Sequence, residues 1–184
     1  MILETERLIL REWRNEDLEP FYRMSSDPIV MEYFPSLLTK DDSEKFIEKV
    51  RSHFENFGYG LWVLESKSGG EWIGFTGFMN VSFQAAFTPA VEIGWRLASP
   101  FWDRGYASEA ASVCLCYGFE ELGFSKIVSF TSVLNTRSQS VMKRIGLKEA
   151  GSFSHPNLPS GHILSKHVLY RISEPEWKEF RSRF

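Results

Sequence analysis

A short turn around Gly105 contains the residues whose types and spacing most clearly predict binding chemistry. The segment 103–108 is Asp-Arg-Gly-Tyr-Ala-Ser, between a strand-like segment and an Ala/Val/Leu-rich helical one. Glycine lets the backbone approach a ligand closely because it has no Cβ, and the small Ala107 keeps that approach open. The first helical turn also offers unpaired N–H groups and the positive end of the macrodipole. The pattern predicts an anion cradle suited to a pyrophosphate. The alternative is a helix start without a ligand, in which Ser108 and Glu109 only complement the dipole.

The strand-like segment 90–97 before this turn carries one carboxylate, that of Glu92. Glu92 alternates with Val91 and Ile93, so its side chain is predicted to point to the opposite face of the sheet from theirs. A carboxylate beside a reacting group can accept a proton as a general base. The alternative is a half-exposed strand carboxylate that pairs with Arg96 or another base.

A second polar constellation lies at the predicted start of the last core helix, where Asn135 is suited to cap the helix. Ser138, Val141, Met142 and Ile145 share one face by helical spacing. The serine therefore lies on an otherwise apolar, inward stripe, and a buried hydroxyl needs a partner. That partner is either a bound ligand or a capping contact within the first turn.

The histidines and cysteines do not predict a metal site. His155, His162 and His167 match no common zinc spacing, and no acidic or cysteine ligand completes the set. They are interpreted as loop and strand-edge residues. Cys114 and Cys116 lie two apart on one predicted helix and project to different sides, so a disulfide between them is geometrically poor. Ordinary packing is their expected role.

Length and composition predict one globular domain over residues 1–184. The chain is 43% hydrophobic and 15% aromatic, which argues against disorder. A formal net charge of −3 gives no electrostatic reason to expect nucleic acid as a partner. No apolar run is long enough to span a membrane, and the first residues do not resemble a signal peptide. The sequence therefore predicts a cytoplasmic protein with no membrane partner.

Hydrophobic periodicity and capping residues predict alternating strands and helices. The predicted strands are 5–13, 60–65, 71–78, 90–97, 126–131, 147–153 and 163–172. The predicted helices begin after Asn15, after a Thr39 capping box, at Tyr106, after Asn135, and in a C-terminal tail at about 174–184. This order favours an α/β fold in which helices cover both faces of a mixed sheet.

In this order, three segments resemble the GNAT superfamily of acyl-CoA-dependent N-acetyltransferases and, within it, the RimJ/RimL-like branch. They are Glu-Ile-Gly-Trp at 92–95, Trp-Asp-Arg-Gly-Tyr-Ala-Ser-Glu-Ala at 102–110, and Asn-Thr-Arg-Ser at 135–138 followed by Gly-Leu at 146–147. The likeness extends from Thr-Glu-Arg-Leu-Ile-Leu-Arg at 5–11 to His-Val-Leu-Tyr at 167–170. It implies a GNAT fold, with a twisted mixed sheet of about seven strands in a single domain.

The resemblance also implies the reaction: transfer of an acetyl group from acetyl-CoA to a primary amine, without a metal. The acceptor would be a protein N-terminal α-amine or a small-molecule amine, which attacks directly in a ternary complex. Backbone groups near Ile93, Trp95 and Leu97 would bind the pantetheine arm in the manner of an added strand, and an N–H near Ile93 or Gly94 would support the oxyanion. The turn amides would bind the pyrophosphate: Asp103, Arg104, Gly105, Tyr106, Ala107 and Ser108.

Catalytic roles follow from the same likeness. Glu92 would act as general base, directly or through water, and Ser138 would protonate the leaving thiolate. Asn135 would bind the pantetheine while capping its helix. The sequence departs from the family pattern in two places. Trp102 stands where the general turn has Arg or Gln, and Met142 stands where many relatives have a proton-donating tyrosine, so that the acid role must move elsewhere or be left to water.

Two other functions stay open at this point. One is a CoA-binding sensor without useful turnover, which Met142 keeps in consideration, and the other is an interaction module without a cofactor. Tyr33, Phe34, Phe83 and Phe87 are candidates for the aromatic wall of an acceptor pocket, or simply for the core. Monomer and homodimer are both compatible with the sequence.

Overall fold

The computed structural model describes residues 2–183, which form eight β-strands and five α-helices. The strands are β1 (Leu3–Glu4), β2 (Leu8–Arg11), β3 (Leu61–Ser66), β4 (Trp72–Asn80), β5 (Val91–Leu97), β6 (Lys126–Ser132), β7 (Lys148–Ser154) and β8 (Lys166–Ser173). The helices are α1 (Leu18–Ser25), α2 (Lys40–Phe57), α3 (Tyr106–Glu120), α4 (Thr136–Arg144) and α5 (Glu174–Arg181). Within residues 2–183, no helix combines the length and the apolar character that crossing a lipid bilayer requires.

The strands form one sheet in the order β1-β2-β3-β4-β5-β6-β8-β7. β5 and β6 run parallel, while β2–β3, β3–β4, β6–β8 and β7–β8 are antiparallel pairs. The predicted mixed α/β sheet is thereby confirmed. It has eight strands rather than about seven, because a two-residue strand precedes the first one predicted.

Two local predictions near the N-terminus are wrong. The expected strand 5–13 spans only Leu8–Arg11, and the Thr5 hydroxyl accepts the N–H of Leu8 at 2.9 Å in the turn between β1 and β2. Asn15 does not cap a helix through its side chain. Its Oδ1 accepts from Arg51 at 2.9 Å, and the Asp17 carboxylate instead accepts the N–H of Arg14 at 2.6 Å.

The chain divides into two compact units. The first comprises the chain up to Met79 together with Gly94–Cys114, and the second comprises Asn80–Ile93 and the chain from Leu115 onward. β4, β5 and α3 each contribute residues to both units.

The core of the first unit is aromatic. Phe21 is fully buried and stacks on Phe46 at a centroid distance of 4.8 Å, while Trp13 packs edge-on against Phe21 at 5.2 Å. The helix α2 begins with the predicted capping box, in which Thr39 and Asp42 exchange side-chain bonds with each other's backbone N–H groups at 3.1 Å.

A buried ionic cluster joins β2, β3 and the segment before α1. The Arg11 guanidinium binds both carboxylate oxygens of Asp17 at 2.8 Å, and its Nε donates to Glu65 at 2.7 Å. Asp17 is only 1% exposed. These bonds, chiefly those with Asp17, raise the pKa of Arg11 above its ordinary value. The cluster fixes the register of the elements that begin the first unit.

In the second unit, one face of the β6–β8 ladder is closely packed. Ile127 pairs with Ile172 and Ser129 with Tyr170, and all four residues are buried. The predicted C-terminal helix is present as α5, which places Trp177 against Phe119 at a ring distance of 5.1 Å. This packing holds the end of the described chain on its unit.

Candidate functional site

The predicted turn lies in the first unit, and α3 begins at Tyr106 as expected. Asp103 and Gly105 both have left-handed backbone conformations, with φ of +58° and +81°. Trp102, the first of the two departures from the family pattern, donates its Nε1 N–H to the carbonyl oxygen of Leu97 at 2.7 Å. The tryptophan therefore ties the turn to the end of β5.

The space beside Gly105 fits an anionic group. A Cβ built on this glycine would meet only the Nη2 atom of Arg7, at 3.4 Å. The Nη1 atom of Arg7 donates to the carbonyl oxygen of Arg104 at 3.0 Å, and the guanidinium lies 4.5 Å from the centroid of the Tyr106 ring. The helix start thus opens beside the Arg7–Glu109 ion pair, and its own unpaired N–H groups are what a diphosphate would use.

Glu109, in the first turn of α3, does more than complement the helix dipole. Its carboxylate accepts from Arg7 Nε at 2.7 Å, from the Arg7 backbone N–H at 3.1 Å and from Thr5 Oγ1 at 2.5 Å. Burial opposes ionisation, but the hydrogen bonds from Thr5 and Arg7 prevail and hold the pKa of Glu109 below its ordinary value. Thr5 and Arg7 were missed as site residues, although the Thr-Glu-Arg segment was part of the family likeness.

The residues of β5 that were predicted to bind the pantetheine arm fall in both units. In the first unit, Gly94 has nothing within 4 Å of an added Cβ, and its carbonyl oxygen accepts from Thr76 Oγ1 at 2.9 Å. Trp95 is half-buried and Leu97 is buried. The backbone beside Gly94 is therefore open to a close approach, whereas the Leu97 carbonyl already bonds Trp102. Pantetheine binding along this strand stays a prediction.

In the second unit, burial differs between Ile93 and its neighbours Val91 and Glu92, which are both half-buried. Ile93 is fully buried, and its carbonyl oxygen accepts from Ser129 Oγ at 2.8 Å. Glu92 is half-buried and pairs in register with Val128 of β6. The catalytic role of Glu92 stays a prediction.

Asn135 caps α4 as predicted. Its Oδ1 accepts the backbone N–H of Ser138 at 3.1 Å, and its Nδ2 donates to Thr131 Oγ1 at 3.1 Å. The cap uses the main chain of Ser138, so it leaves the half-buried hydroxyl available for another contact. Met142 is 1% exposed, on the same apolar stripe. A thioether there cannot donate a proton, so Ser138 is the residue of this stripe that could act as an acid.

Two of the three predicted strand-edge and loop histidines come together with phenylalanines in the second unit. The rings of His155 and His167 are 4.9 Å apart, and Phe83 lies 4.8 Å from His155. The cluster, called here the aromatic–histidine cluster, consists of Phe83, Phe87, Phe130, Phe153, His155 and His167. His162 instead accepts the N–H of Leu164 at 3.1 Å. Among residues 2–183, no group of three or more side chains could hold a metal ion.

Hydrogen bonds orient the two imidazoles of this cluster. His155 Nδ1 accepts the N–H of Asn157 at 3.3 Å, while His167 Nδ1 lies 3.2 Å from the carbonyl oxygen of Ser165 and is assigned as a donor to it. Burial lowers the pKa of both rings, and the proximity of His167 lowers that of His155 further. Both rings are therefore uncharged at neutral pH.

The lowered pKa values predict a loss of stability in mild acid. Above the unfolded pKa of about 6.5 the imidazoles are neutral in both states. As the pH falls from the unfolded pKa towards the lower folded pKa values, the unfolded chain binds more protons and stability declines, by at most about 1.4 kcal/mol per pH unit for each proton. Replacing His155 and His167 together by Phe should flatten the decline in unfolding free energy between pH 7.5 and 5.5, measured by urea titration.

Burial lowers the pKa of His53 too. Part of the decline in unfolding free energy will therefore remain in the double variant. His162→Phe, outside the cluster, is the matched control and should keep the parental slope. A double variant with that same slope would contradict the assignment of neutral rings.

Both cysteines are free thiols, as predicted. Cys114 is fully buried, and Cys116 is half-buried with its Sγ 3.4 Å from the Glu120 carboxylate. Burial is the main cause that raises the pKa of each thiol. Neither has the depressed pKa of a nucleophilic cysteine, so neither thiol is suited to form a covalent intermediate.

Comparison with known proteins identifies the family. Residues 7–148 match the acetyltransferase (GNAT) domain. A Bacillus subtilis protein named as an uncharacterized N-acetyltransferase, YnaD, is 32% identical over 180 residues, which cover 96% of this chain and 99% of YnaD.

Two solved structures have the same fold. A GNAT-family acetyltransferase from Bacillus anthracis is 30% identical, with a TM-score of 0.78 over 95% of this chain and 99% of its own. A spermidine N-acetyltransferase from Vibrio cholerae, in complex with CoA and spermine, is 19% identical, with a TM-score of 0.75 over 95% and 99% of the two chains. The open glycine turn, the parallel β5–β6 pair and these matches together show that the chain belongs to the GNAT family and is an N-acetyltransferase.

Proposed function

We propose that this protein transfers the acetyl group of acetyl-CoA to a primary amine, by direct attack in a ternary complex, as a RimJ/RimL-like enzyme. The acceptor is either a protein N-terminal α-amine or a small-molecule amine. The observation that carries the proposal is the turn at Gly105, where a left-handed glycine, a helix N-terminus and the Arg7 guanidinium meet around open space. The CoA complex of the Vibrio cholerae protein supports it.

Backbone amides would hold the coenzyme. Those of the turn would bind its diphosphate beside Arg7: Asp103, Arg104, Gly105, Tyr106, Ala107 and Ser108. Ile93, Trp95 and Leu97 of β5 would bind the pantetheine arm by their main chain, and Asn135 would add a side-chain amide. When bound, acetyl-CoA supplies an acyl group activated as a thioester.

Three groups of the chain would then move or stabilise charge. Glu92 would take a proton from the acceptor ammonium, directly or through water, which leaves the amine its lone pair. A main-chain N–H near Ile93 or Gly94 would stabilise negative charge on the carbonyl oxygen. Ser138 would give a proton to the departing sulfur. In the family pattern a tyrosine has this role, and Met142 stands at its position here.

Ser138→Ala is expected to slow turnover by about 10²-fold, the usual contribution of a positioned acid. The KM for acetyl-CoA and the melting temperature should change little, since the Asn135 cap bonds the backbone of Ser138. Steady-state kinetics measure both parameters. Ser140→Ala removes an exposed hydroxyl from the same helix and should behave as the parent enzyme. If Ser138→Ala turns over at the parental rate, Ser138 is not the acid.

The proposal as a whole is tested by incubating the protein with acetyl-CoA and a panel of primary amines while free thiol release is measured. Acetyl transfer to at least one amine is the expected result. CoA binding without thiol release from any amine would favour a sensor, the function that the buried Met142 keeps in consideration. If CoA fails to raise the melting temperature, the coenzyme assignment itself is wrong.

A further inference from the structure

Arg96 lies on β5, in the first unit, and its environment differs from that of an ordinary surface arginine. Its Nη1 donates to the hydroxyl of Ser25 at 3.1 Å. The guanidinium carbon lies 4.2 Å from the centroid of the Phe34 ring and 5.5 Å from that of Phe75. Ser25 is fully buried, whereas Phe34 is 37% exposed. The guanidinium therefore lies between a partly exposed ring and a buried hydroxyl group.

Among residues 2–183, no carboxylate oxygen lies within 4.0 Å of a guanidinium nitrogen of Arg96. Its Nε is buried and makes no hydrogen bond within the described chain. An arginine carries five N–H donors, so most of its hydrogen-bonding capacity is unused here. Burial lowers the pKa of Arg96 to about 10, and the side chain is still charged at neutral pH.

Of the two acidic residues in the neighbouring segment, Glu32 is exposed and forms no ion pair with Arg96, and Asp27 is already engaged. Asp27 accepts from Ser99 Oγ at 3.0 Å through one carboxylate oxygen and from the Ile29 N–H at 2.9 Å through the other. By contrast, Arg11 in the same unit satisfies its buried charge with two carboxylates. Burying a charge without a counter-ion costs free energy, so Arg96 is better suited to a bound ligand than to stabilising the fold.

The geometry restricts what that ligand can be. The Phe34 ring packs against the guanidinium, and a ligand would bond the N–H groups along the guanidinium edge that Ser25 does not use. A planar carboxylate can bond such an edge with two parallel N–H···O bonds. Arg96 also lies two residues after Gly94 on the same face of β5, a separation of about 7 Å along a strand.

We propose that Arg96 binds a carboxylate on the amine acceptor, so that the substrates are small primary amines with a carboxylate a short carbon chain away, as in amino acids. The inference rests on the proposed function, which places the reacting amine near Gly94. It selects the small-molecule acceptors over the N-termini of proteins.

Two measurements test the assignment on the intact protein and on the variants Arg96→Met and Arg96→Lys. In the first, the melting temperature is measured with sodium propionate and with sodium phosphate against sodium chloride at equal ionic strength. In the second, kcat/KM is compared between amino acids and their amides, with phenylalanine against phenylalaninamide and β-alanine against β-alaninamide. Arg23→Met, which removes an exposed arginine of α1, is the matched control.

Propionate should raise the melting temperature of the parent protein by about 2 °C and that of Arg96→Met not at all. The parent should favour the amino acid over its amide by at least about tenfold, since a polar site left unpaired rejects the analogue. Arg96→Met should lose that preference, Arg96→Lys should keep part of it, and Arg23→Met should keep all of it. Arg96→Met should also melt no lower than the parent, because it removes an uncompensated charge.

Equal rates with acids and amides in the parent, or a preference that survives in Arg96→Met, would overturn the inference. So would stabilisation by phosphate and not by propionate, which would mark a phosphate site. If neither member of any pair is acetylated, the proposed function fails on its own. The propionate measurement then decides separately whether Arg96 binds a carboxylate. An unchanged melting temperature of the parent protein in propionate would contradict carboxylate binding.

Discussion

Gly105→Val is expected to weaken CoA binding by more than about 10²-fold. The glycine has a φ of +81°, and a Cβ at this position would already lie 3.4 Å from Arg7 Nη2. Two further methyl groups would fill the space beside the turn amides, which only a residue without a side chain leaves open. A β-branched residue at positive φ also costs about 1–3 kcal/mol of stability. Isothermal titration with CoA measures the affinity, and thermal unfolding shows whether the variant folds.

Gly58→Val separates the two effects. Gly58 ends α2 with a φ of +76° and has nothing within 4 Å of an added Cβ, so the backbone strain is similar and the turn at Gly105 is untouched. This variant should lose comparable stability and keep the parental affinity for CoA. Parental affinity in Gly105→Val as well would show that the diphosphate binds somewhere else.

The second large effect concerns stability. Asp17→Asn should lower the unfolding free energy by about 3 kcal/mol, because it leaves the buried Arg11 guanidinium facing a neutral amide. The expected loss is near the lower end for a broken buried pair because Glu65 still bonds Nε. Urea titration at pH 7.5 gives the free energy, and an unchanged slope would show that the unfolding reaction is the same.

Glu19→Gln is the control for this variant. It neutralises the carboxylate of an exposed pair with Arg23, at 3.2 Å on α1, and should cost less than about 1 kcal/mol. Equal losses of unfolding free energy in the two variants would mean that the buried Arg11–Asp17 pair contributes no more to stability than an exposed pair.

The sequence was most informative where the structure is determined by neighbouring residues. The capping box at Thr39, the Asn135 cap and the start of α3 at Tyr106 each depend on side chains or glycines within about four positions. Alternation over a few residues located the inner strands, whereas the bounds of the first long strand and of the last strand were predicted too wide. The same local chemistry predicted the open turn at Gly105, since a glycine directly before a helix leaves the first amides of that helix uncovered.

The parts that were missed depend on residues far apart in the chain. Thr5 and Arg7 meet Glu109 more than a hundred positions away, and nothing within their own segment indicates that partner. Arg96 was considered only as an ion-pair partner, because sequence does not show which cations lack one. The aromatic–histidine cluster includes residues from the irregular segment 80–90, where no period predicts side-chain direction.

The state of the two cysteines has a practical consequence for enzymology. A chromogenic disulfide reagent reacts with thiolates, and both protein thiols are held protonated, one of them sealed in the core. Coenzyme set free in solution will therefore react first, with little background from the folded protein. Continuous colorimetric recording of acyl transfer should be possible without mutating either cysteine, and a late rise in colour would report unfolding of the protein itself.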